Sequence, residues 1–516
     1  MNANSKLIIF VAVMASLLEI IDTSIVNVAI PTMMGNLGAT LEDVSMVITG
    51  YTVANAIVLP ISAWFGERFG RRQYYLSCIF IFTVTSVACG LAPNLTSLII
   101  FRILQGIAGG ALLPTSQALI YEQFPPEKAG IAGAIFGMSV MIGPTLGPVM
   151  GGYLTDNYGW RSIFNINLPL GLLTLAVGYT CIKNRENHGS NKVRLDILGF
   201  ILLVLGIGCL QFMLERGQAD EWFDSKLILA CAIISLVSII SFIFWEFKVK
   251  NPLLNLHLFK EPIVVSGITL MACLGFYLFG IVFILPVFLN RAYNYDAVQI
   301  GAMFIPGSIL TAFCMPFIGK QIQKTADPRR LIFIGLVLVE LSLVMMTFFS
   351  SFTSKDYVLY MLFVRGVALA YLFVPINSTI LSQFSGYELG QVSGFLNLFR
   401  QIGGSMGIAF IDTMLARKLS SNYNELLPSL SSLNINAANE LNGNIHGLAT
   451  KFPNQVGFTD YMTASVASIY HRVQQQIFML SFLQLVGIMM VIFSISFIPL
   501  FLIKLKKKVV AVTDAH

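Results

Sequence analysis

GPTLGPVMGGYLTDNYGWRSIFNINLPLG, residues 143–171, opens by placing Pro144, Pro148 and several glycines in a stretch apolar enough to lie in a bilayer. Packing alone does not account for that combination. Pro144 and Pro148 each lack a backbone N–H, so the carbonyls of Val140 and Pro144 lose their helical partners. Gly143, Gly147 and Gly151 recur at i, i+4 and share one helix face. In hydrocarbon such a helix persists only where neighbouring protein or water satisfies the freed groups, and a stripe of small residues lets another helix backbone come close. The stretch reads as a bendable, tightly packed membrane helix.

The rest of the chain fits that reading. It is 56% hydrophobic and 11% charged over 516 residues, too few charges to solvate a globule of that length, and its apolar runs repeatedly reach the roughly 20 residues that span a bilayer. An all-α integral membrane fold with fourteen crossings is expected. The spans fall near 7–30, 42–65, 74–92, 96–120, 129–153, 164–183, 196–214, 226–247, 262–288, 298–319, 330–350, 357–382, 392–416 and 474–503. Glu19 and Asp22 interrupt the first apolar run, which argues against a cleaved signal.

An even number of crossings puts both termini on one side. That side carries 20 lysines and arginines and the opposite loops 9, while Arg102, Arg365 and Arg400 lie within spans. Both termini are therefore expected in the cytoplasm. The net charge of +6 follows from this asymmetry and does not point to nucleic acid. Trp64, Trp160, Trp222 and Trp245 all fall at expected helix ends, as an interfacial belt requires. The seven cysteines lie in or beside apolar spans with no CxxC pair or His/Cys cluster, so neither a disulfide framework nor a metal site is expected.

The chain repeats itself. Pro114 and Pro375, Glu127 and Glu388, and Gly143 and Gly404 are each separated by 261 residues, the mark of two parallel halves. We expect an N-terminal six-helix bundle (1–190), two linking helices (191–255) and a C-terminal six-helix bundle (256–516). The last carries an external loop over 418–473.

Ionisable groups inside the membrane are costly and so are functional candidates. Asp22 lies roughly 12 Å and Arg102 roughly 9 Å below the outer ends of their helices at 1.5 Å per residue, so the two can meet at one level. Desolvation favours the neutral acid and the arginine favours the ion; access of water or a cation could therefore switch it. A permanent structural ion pair is the alternative. Glu19, one turn earlier on the same face, could join the proton site or stand as a spectator in a polar cavity. Glu340 is a further intramembrane acid and proton-coupling candidate, with a structural pair to Arg365 of the next helix as the favoured alternative. No histidine falls in a span, which leaves any proton relay to carboxylates.

Several segments in order resemble the major facilitator superfamily, in its drug:proton antiporter branch with fourteen helices. They are IIDTSIVNVAIP (20–31), GERFGRR (66–72), FRILQGIAGG (101–110), the glycine and proline run with WRSIFNINLPLG, and SGFLNLFRQIGGSMG (393–407). ERGQADEWFDS (215–225) and the long loop before the last helix resemble the inner-membrane component of tripartite efflux pumps. The resemblance implies a secondary active transporter, not an enzyme. Two six-helix bundles would rock between inward-open and outward-open states in a bacterial inner membrane, exporting hydrophobic or cationic drugs. No cofactor is implied, since the proton gradient drives the cycle.

The resemblance also implies roles. Asp22 becomes the proton-linked acid and Arg102 a functional arginine. Gly143, Pro144, Gly147, Pro148, Gly151 and Gly152 form the antiporter motif at the pivot. In the loop Glu67, Arg68, Gly70, Arg71 and Arg72 gate, the acid meeting the N-terminus of the helix that starts near Gln391. Here Glu67 replaces the usual Asp and Ala63 the motif's first Gly, and membrane anchoring alone explains Arg71 and Arg72. Met138, Met141, Phe276, Tyr277, Tyr371 and Asn397 lie on helices that line the cavity in such transporters. The external loop implies a periplasmic adaptor that hands cargo to an outer-membrane channel, with a flexible cap over the exit as the alternative. An exporter of an endogenous metabolite or siderophore remains open. A membrane-embedded enzyme is disfavoured, because HExxH is absent and no nucleophile or metal cluster is read near the interface.

Overall fold

A computed structural model describes residues 2–183, 196–324, 327–426, 435–451 and 458–503. Among these, every regular element is helical. The N-terminal half comprises α1 (Ala3–Leu37), α2 (Leu41–Phe69), α3 (Arg71–Gly90), a fourth crossing split into α4 (Leu95–Gly109) and α5 (Leu112–Glu122), α6 (Ala129–Tyr158), and a sixth made of α7 (Ser162–Asn165) and α8 (Asn167–Cys181). Two helices follow, α9 (Ile197–Arg216) and α10 (Lys226–Glu246). The C-terminal half contains α11 (Pro262–Tyr293), α12 (Ala297–Lys324), α13 (Arg329–Thr347), α14 (Lys355–Leu381), α15 (Gly386–Leu426), α16 (Ile435–Lys451), α17 (Phe458–Ser494) and α18 (Ile498–Leu502).

Among the described residues, thirteen helical segments are long and apolar enough to cross a membrane. The remaining crossing, α15, fails that test because it meets little lipid. It lies between α11 and α2, and its stretch from Leu389 to Gly407 is largely buried, so it can carry Arg400, Gln401 and several glycines. At 41 residues it is about 60 Å long and runs well past the membrane.

The two halves are built alike. In each, the first helix packs closely on the fifth, α1 on α6 and α11 on α15, and each fifth helix packs on the second helix of the other half, α6 on α12 and α15 on α2. Glycines set these approaches. A Cβ on Gly130 would lie 2.2 Å from the carbonyl oxygen of Gly319, and one on Gly394 would lie 2.7 Å from that of Leu59. On the side that carries the termini, α5 also meets α15 and α6 meets α14, whereas α1 and α11 scarcely touch. The halves are therefore shut toward the termini and parted toward the far side between α1 and α11, while α6 stays on α12 up to Gly152 and Val298.

On the far side the loop between α9 and α10 ties the halves together. Arg216 donates to the Glu42 carbonyl (2.9 Å) and the Ser45 hydroxyl (2.8 Å) of α2 and is bound to Asp220 at 2.7 Å. Trp222 donates its indole N–H to Thr413 of α15 at 2.9 Å. Glu221 and Trp222 both have positive φ, 58° and 52°, a strain of roughly 1–2 kcal/mol per residue that the surrounding contacts hold in place.

Two expectations need correction. The fourth crossing is not one helix: it breaks at Gly110–Ala111, because Gly106 and Gly110 are drawn onto the α2 backbone at Tyr51 and Asn55. The 418–473 segment is not chiefly loop. α15 continues to Leu426, α16 forms a separate helix, and α17 extends outward to Phe458; Arg472 holds α16 through Glu440 (2.8 Å) and Asn444 (3.0 Å). Its remaining residues, 427–434 and 452–457, lie outside the described residues, as do Arg185, Lys192, Arg194, Lys504, Lys506, Lys507 and Lys508 from the charge count.

Candidate functional site

Asp22 sits in the N-terminal half with no exposed surface. One carboxylate oxygen accepts from Arg102 Nη1 at 2.5 Å, and the other accepts from Gln105 Nε2 and Asn167 Nδ2, both at 2.8 Å. Arg102 also donates to Gln105 Oε1 (2.9 Å) and the Val47 carbonyl (3.3 Å), and its guanidinium lies 4.2 Å from the Tyr51 ring centroid. Asn167 donates to Ser86 as well. The depth arithmetic thus describes a real contact. What it missed is the amide shell of Gln105 and Asn167, whose signal was a polar side chain within an apolar span.

Glu19, one turn earlier, has different company. It is 3% exposed, accepts from Asn55 Nδ2 at 2.8 Å through one oxygen and from the Leu113 backbone N–H at 3.1 Å through the other. That N–H is free because the break at Gly110–Ala111 makes Leu113 part of the first turn of α5, where helical N–H groups lack partners and favour an anion. Among the described residues no cation forms a salt bridge with Glu19, yet the Arg400 guanidinium of the other half acts on it electrostatically.

Arg400 leads into a network across the closed side. It donates to Asn397 Oδ1 at 3.3 Å. Gln117 of α5, fully buried, accepts from Asn397 Nδ2 (2.7 Å) and Ser393 Oγ (2.5 Å) and donates to Asn377 Oδ1 (2.7 Å). One N-terminal amide therefore joins three residues of the C-terminal half. The 261-residue offset makes this geometry intelligible: Gln117 corresponds to Ser378, beside Asn377, so both lie near the pseudo-twofold axis.

The glycine stripe serves the first helix. A Cβ on Gly143 would lie 2.2 Å from the Ile20 side chain, and one on Gly147 or Gly151 would overlap Ser24 or Ile25. Ser24 donates to the Gly143 carbonyl at 3.3 Å. Gly152 faces Val298 of α12 instead. Pro144 and Pro148 sit within a continuous α6, and Pro148 lies beside Gly301 of α12. The motif therefore holds α6 between α1 of its own half and α12 of the other.

At the loop after α2, Gly70 has φ +86°. Arg71 pairs with Glu122 at 2.6 Å, Arg72 donates to the Tyr179 carbonyl at 2.8 Å, and Arg68 lies over Trp64. Glu67 is exposed and acts electrostatically on Tyr387 in the first turn of α15, while Ala63 packs against Gly390.

The other residues are scattered. Glu340 does not pair with Arg365: it accepts from Ser494 of α17 at 3.0 Å, because α13 turns that face toward the last helix and away from α14. Tyr277 is buried inside the C-terminal half, bonded to Ser342 at 2.6 Å and tilted on Phe493. Phe276 packs on Phe410, Met141 is buried, and Met138 and Tyr371 are half-buried. Asn397 belongs to the Gln117 network. Among the described residues no cluster of His, Cys, Asp or Glu could hold a metal.

Comparison with known proteins agrees with this architecture. The family model of the Major Facilitator Superfamily matches residues 12–408. The probable multidrug resistance protein EmrY of Escherichia coli K12 is 33% identical over 447 residues, 86% of this chain and 87% of its own. The multidrug export protein EmrB of the same organism is 34% identical over 425 residues, 82% and 83%. In fold, the chain is similar to the proton:xylose symporter XylE, with a TM-score of 0.57 at 15% identity, covering 82% of this chain and 90% of that one. With twelve crossings in two like halves and two more between them, the chain is a membrane transporter and belongs to the major facilitator superfamily.

Proposed function

We propose that this protein exports hydrophobic or cationic drugs in exchange for protons, by alternating access across a bacterial inner membrane with both termini in the cytoplasm. The names of its relatives, multidrug export and resistance proteins, support the cargo class. The lysine and arginine bias supports the orientation. The long far-side helices α15, α16 and α17 favour an adaptor and outer-membrane channel as partners, as in a tripartite pump.

One observation carries the proton coupling: two buried acids lie one turn apart on α1 in unlike surroundings. Asp22 is matched by Arg102 and two amides within its own half, an arrangement that rocking of the halves leaves intact. Glu19 is held by neutral donors and by the field of Arg400, which belongs to the other half. We therefore shift the exchanging role from Asp22, the expectation from sequence, to Glu19, with Asp22 and Arg102 as its fixed neighbours. As an anion Glu19 attracts Arg400 and favours the Gln117 network, keeping the cytoplasmic side shut. Protonation removes that attraction and lets the side open to cargo. While that side is open, cargo binds and the proton leaves to the cytoplasm, and the restored attraction returns the halves to the shut state.

Dye efflux from proteoliposomes under an imposed pH gradient tests this. Ethidium transport by Glu19→Gln should lose its dependence on the gradient while equilibrium binding of ethidium persists. Gradient-driven efflux at the native rate in that variant would remove Glu19 from the mechanism. Asp22→Asn measured alongside separates the two acids. An endogenous metabolite as the principal cargo is distinguished by competition against ethidium.

A further inference from the structure

The fourth helix of each half carries a buried arginine, and only one has a counter-ion. Arg102 is matched by Asp22. Arg365 on α14, 6% exposed, has one long hydrogen bond, Nη2 to the Leu278 carbonyl at 3.5 Å, and its Nε has no partner. Among the described residues no acid forms a salt bridge with it, and none acts on it electrostatically; its only charged or titratable neighbour is Tyr277. The positions on α11 that correspond by the 261-residue offset to Glu19 and Asp22 are Gly280 and Phe283. Glu340, the acid within the preceding helix, is bound to Ser494, and Asp356 lies in the first turn of α14, nine residues away.

A guanidinium taken out of water without an anion costs several kcal/mol, and so calls for one. α11 and α12 both pack on α14 but barely on each other, and Arg365 sits between them, its guanidinium donating to the Leu278 carbonyl of α11 and facing α12. Phe304 of α12 lies 5.8 Å from the guanidinium carbon, ring centroid to cation. Gly366, the next residue, is pressed onto Gly307, where a Cβ would lie 2.5 Å from the carbonyl oxygen. That contact fixes the rotation of α14 and keeps Arg365 from seeking another partner. Arg400, whose Nε is likewise unpartnered, already faces an anion in Glu19.

We infer that Arg365 is an anion-binding subsite of the C-terminal half, which takes the carboxylate of an amphiphilic cargo while the aromatic and aliphatic walls of α11 and α12 take its chain. The guanidinium presents a planar fork that matches a carboxylate. The inference uses the central cleft assigned above and extends its range from cationic to anionic amphiphiles.

Equilibrium binding to purified protein, with no gradient, tests it. Radiolabelled decanoate should bind the native protein at least roughly tenfold more tightly than decanamide, the uncharged analogue of equal length. Arg365→Gln should erase that preference and leave decanamide affinity unchanged. Equal affinity for the two probes in the native protein, or an undiminished preference in Arg365→Gln, overturns the assignment. Should Arg365→Gln not purify folded, Arg365→Lys decides: a reduced preference supports the site, and a native one refutes recognition by the fork. Binding without a gradient is independent of proton coupling, so loss of one reading leaves the other standing.

Discussion

Arg102 and Arg365 occupy matching helices of two matching halves, yet one is held by an acid, an amide side chain, a backbone carbonyl and a tyrosine ring, and the other meets a distant carbonyl and a phenylalanine. The scaffold was doubled; the charge was not. The interior of the N-terminal half holds Glu19 and Asp22, whereas that of the C-terminal half holds Arg365 and Arg400 with, among the described residues, no buried acid of its own to pair them. Symmetry of packing supplies two bodies that can rock, and asymmetry of charge supplies a reason for them to attract in one protonation state and not in the other.

The largest effect that can break this comparison is on stability. Arg102→Gln leaves Asp22 buried without its cation and should cost about 3–5 kcal/mol, read as a fall in the unfolding midpoint of the purified protein. Arg365→Gln removes an uncompensated charge and should be near neutral or stabilising. Equal losses in both would end the contrast.

A second prediction concerns the attraction between halves. Gln117→Leu deletes three cross-interface hydrogen bonds, each worth about 1 kcal/mol. Hydrogen exchange should then quicken in 113–123 and 388–398 and slow on the far side, as the shut state loses population. Glu19→Gln should do the same, and the double variant should add little to either. Full additivity would show the acid and the amide to be independent.

A third, smaller test sharpens the packing side. Gly147→Ala would put a Cβ 1.9 Å from Ser24 Oγ, and Ser24 can rotate away only by giving up its bond to Gly143. The expected cost is about 1–3 kcal/mol, with slower transport and unchanged cargo affinity. Smallest of all is Arg472→Ala: it breaks an exposed pair on the far-side helices worth at most about 1 kcal/mol, and should leave efflux by the isolated protein unchanged.

Much of this was readable in the chain. Apolar runs place the crossings because hydrocarbon imposes a length, and depth along two helices brought Asp22 to Arg102. The same arithmetic failed for Glu340 and Arg365, which share a depth but not a direction: α13 turns its acid toward Ser494, and rotation about a helix axis is set by neighbours. The break at Gly110 was also hidden. GIAGG is compatible with an unbroken membrane helix until Tyr51 and Asn55 of α2 are known to press on it. Glu19 illustrates the cost of that gap, since its second donor exists only because of the break. Gln117, Asn377, Ser393 and Asn397 were visible as polar residues in apolar spans, but their convergence depends on the pseudo-twofold axis.

The tie made by Arg216 and Trp222 bears on the size of what passes. It fastens the start of α2 to α15 along one edge of the far mouth, and a short loop cannot stretch. That edge behaves as the spine of a book. The second seam, α6 on α12, also reaches the far end, where Gly152 faces Val298. The opening is thus confined between two seams, beside α1 and α11, and residues there set the upper limit on the girth of the cargo.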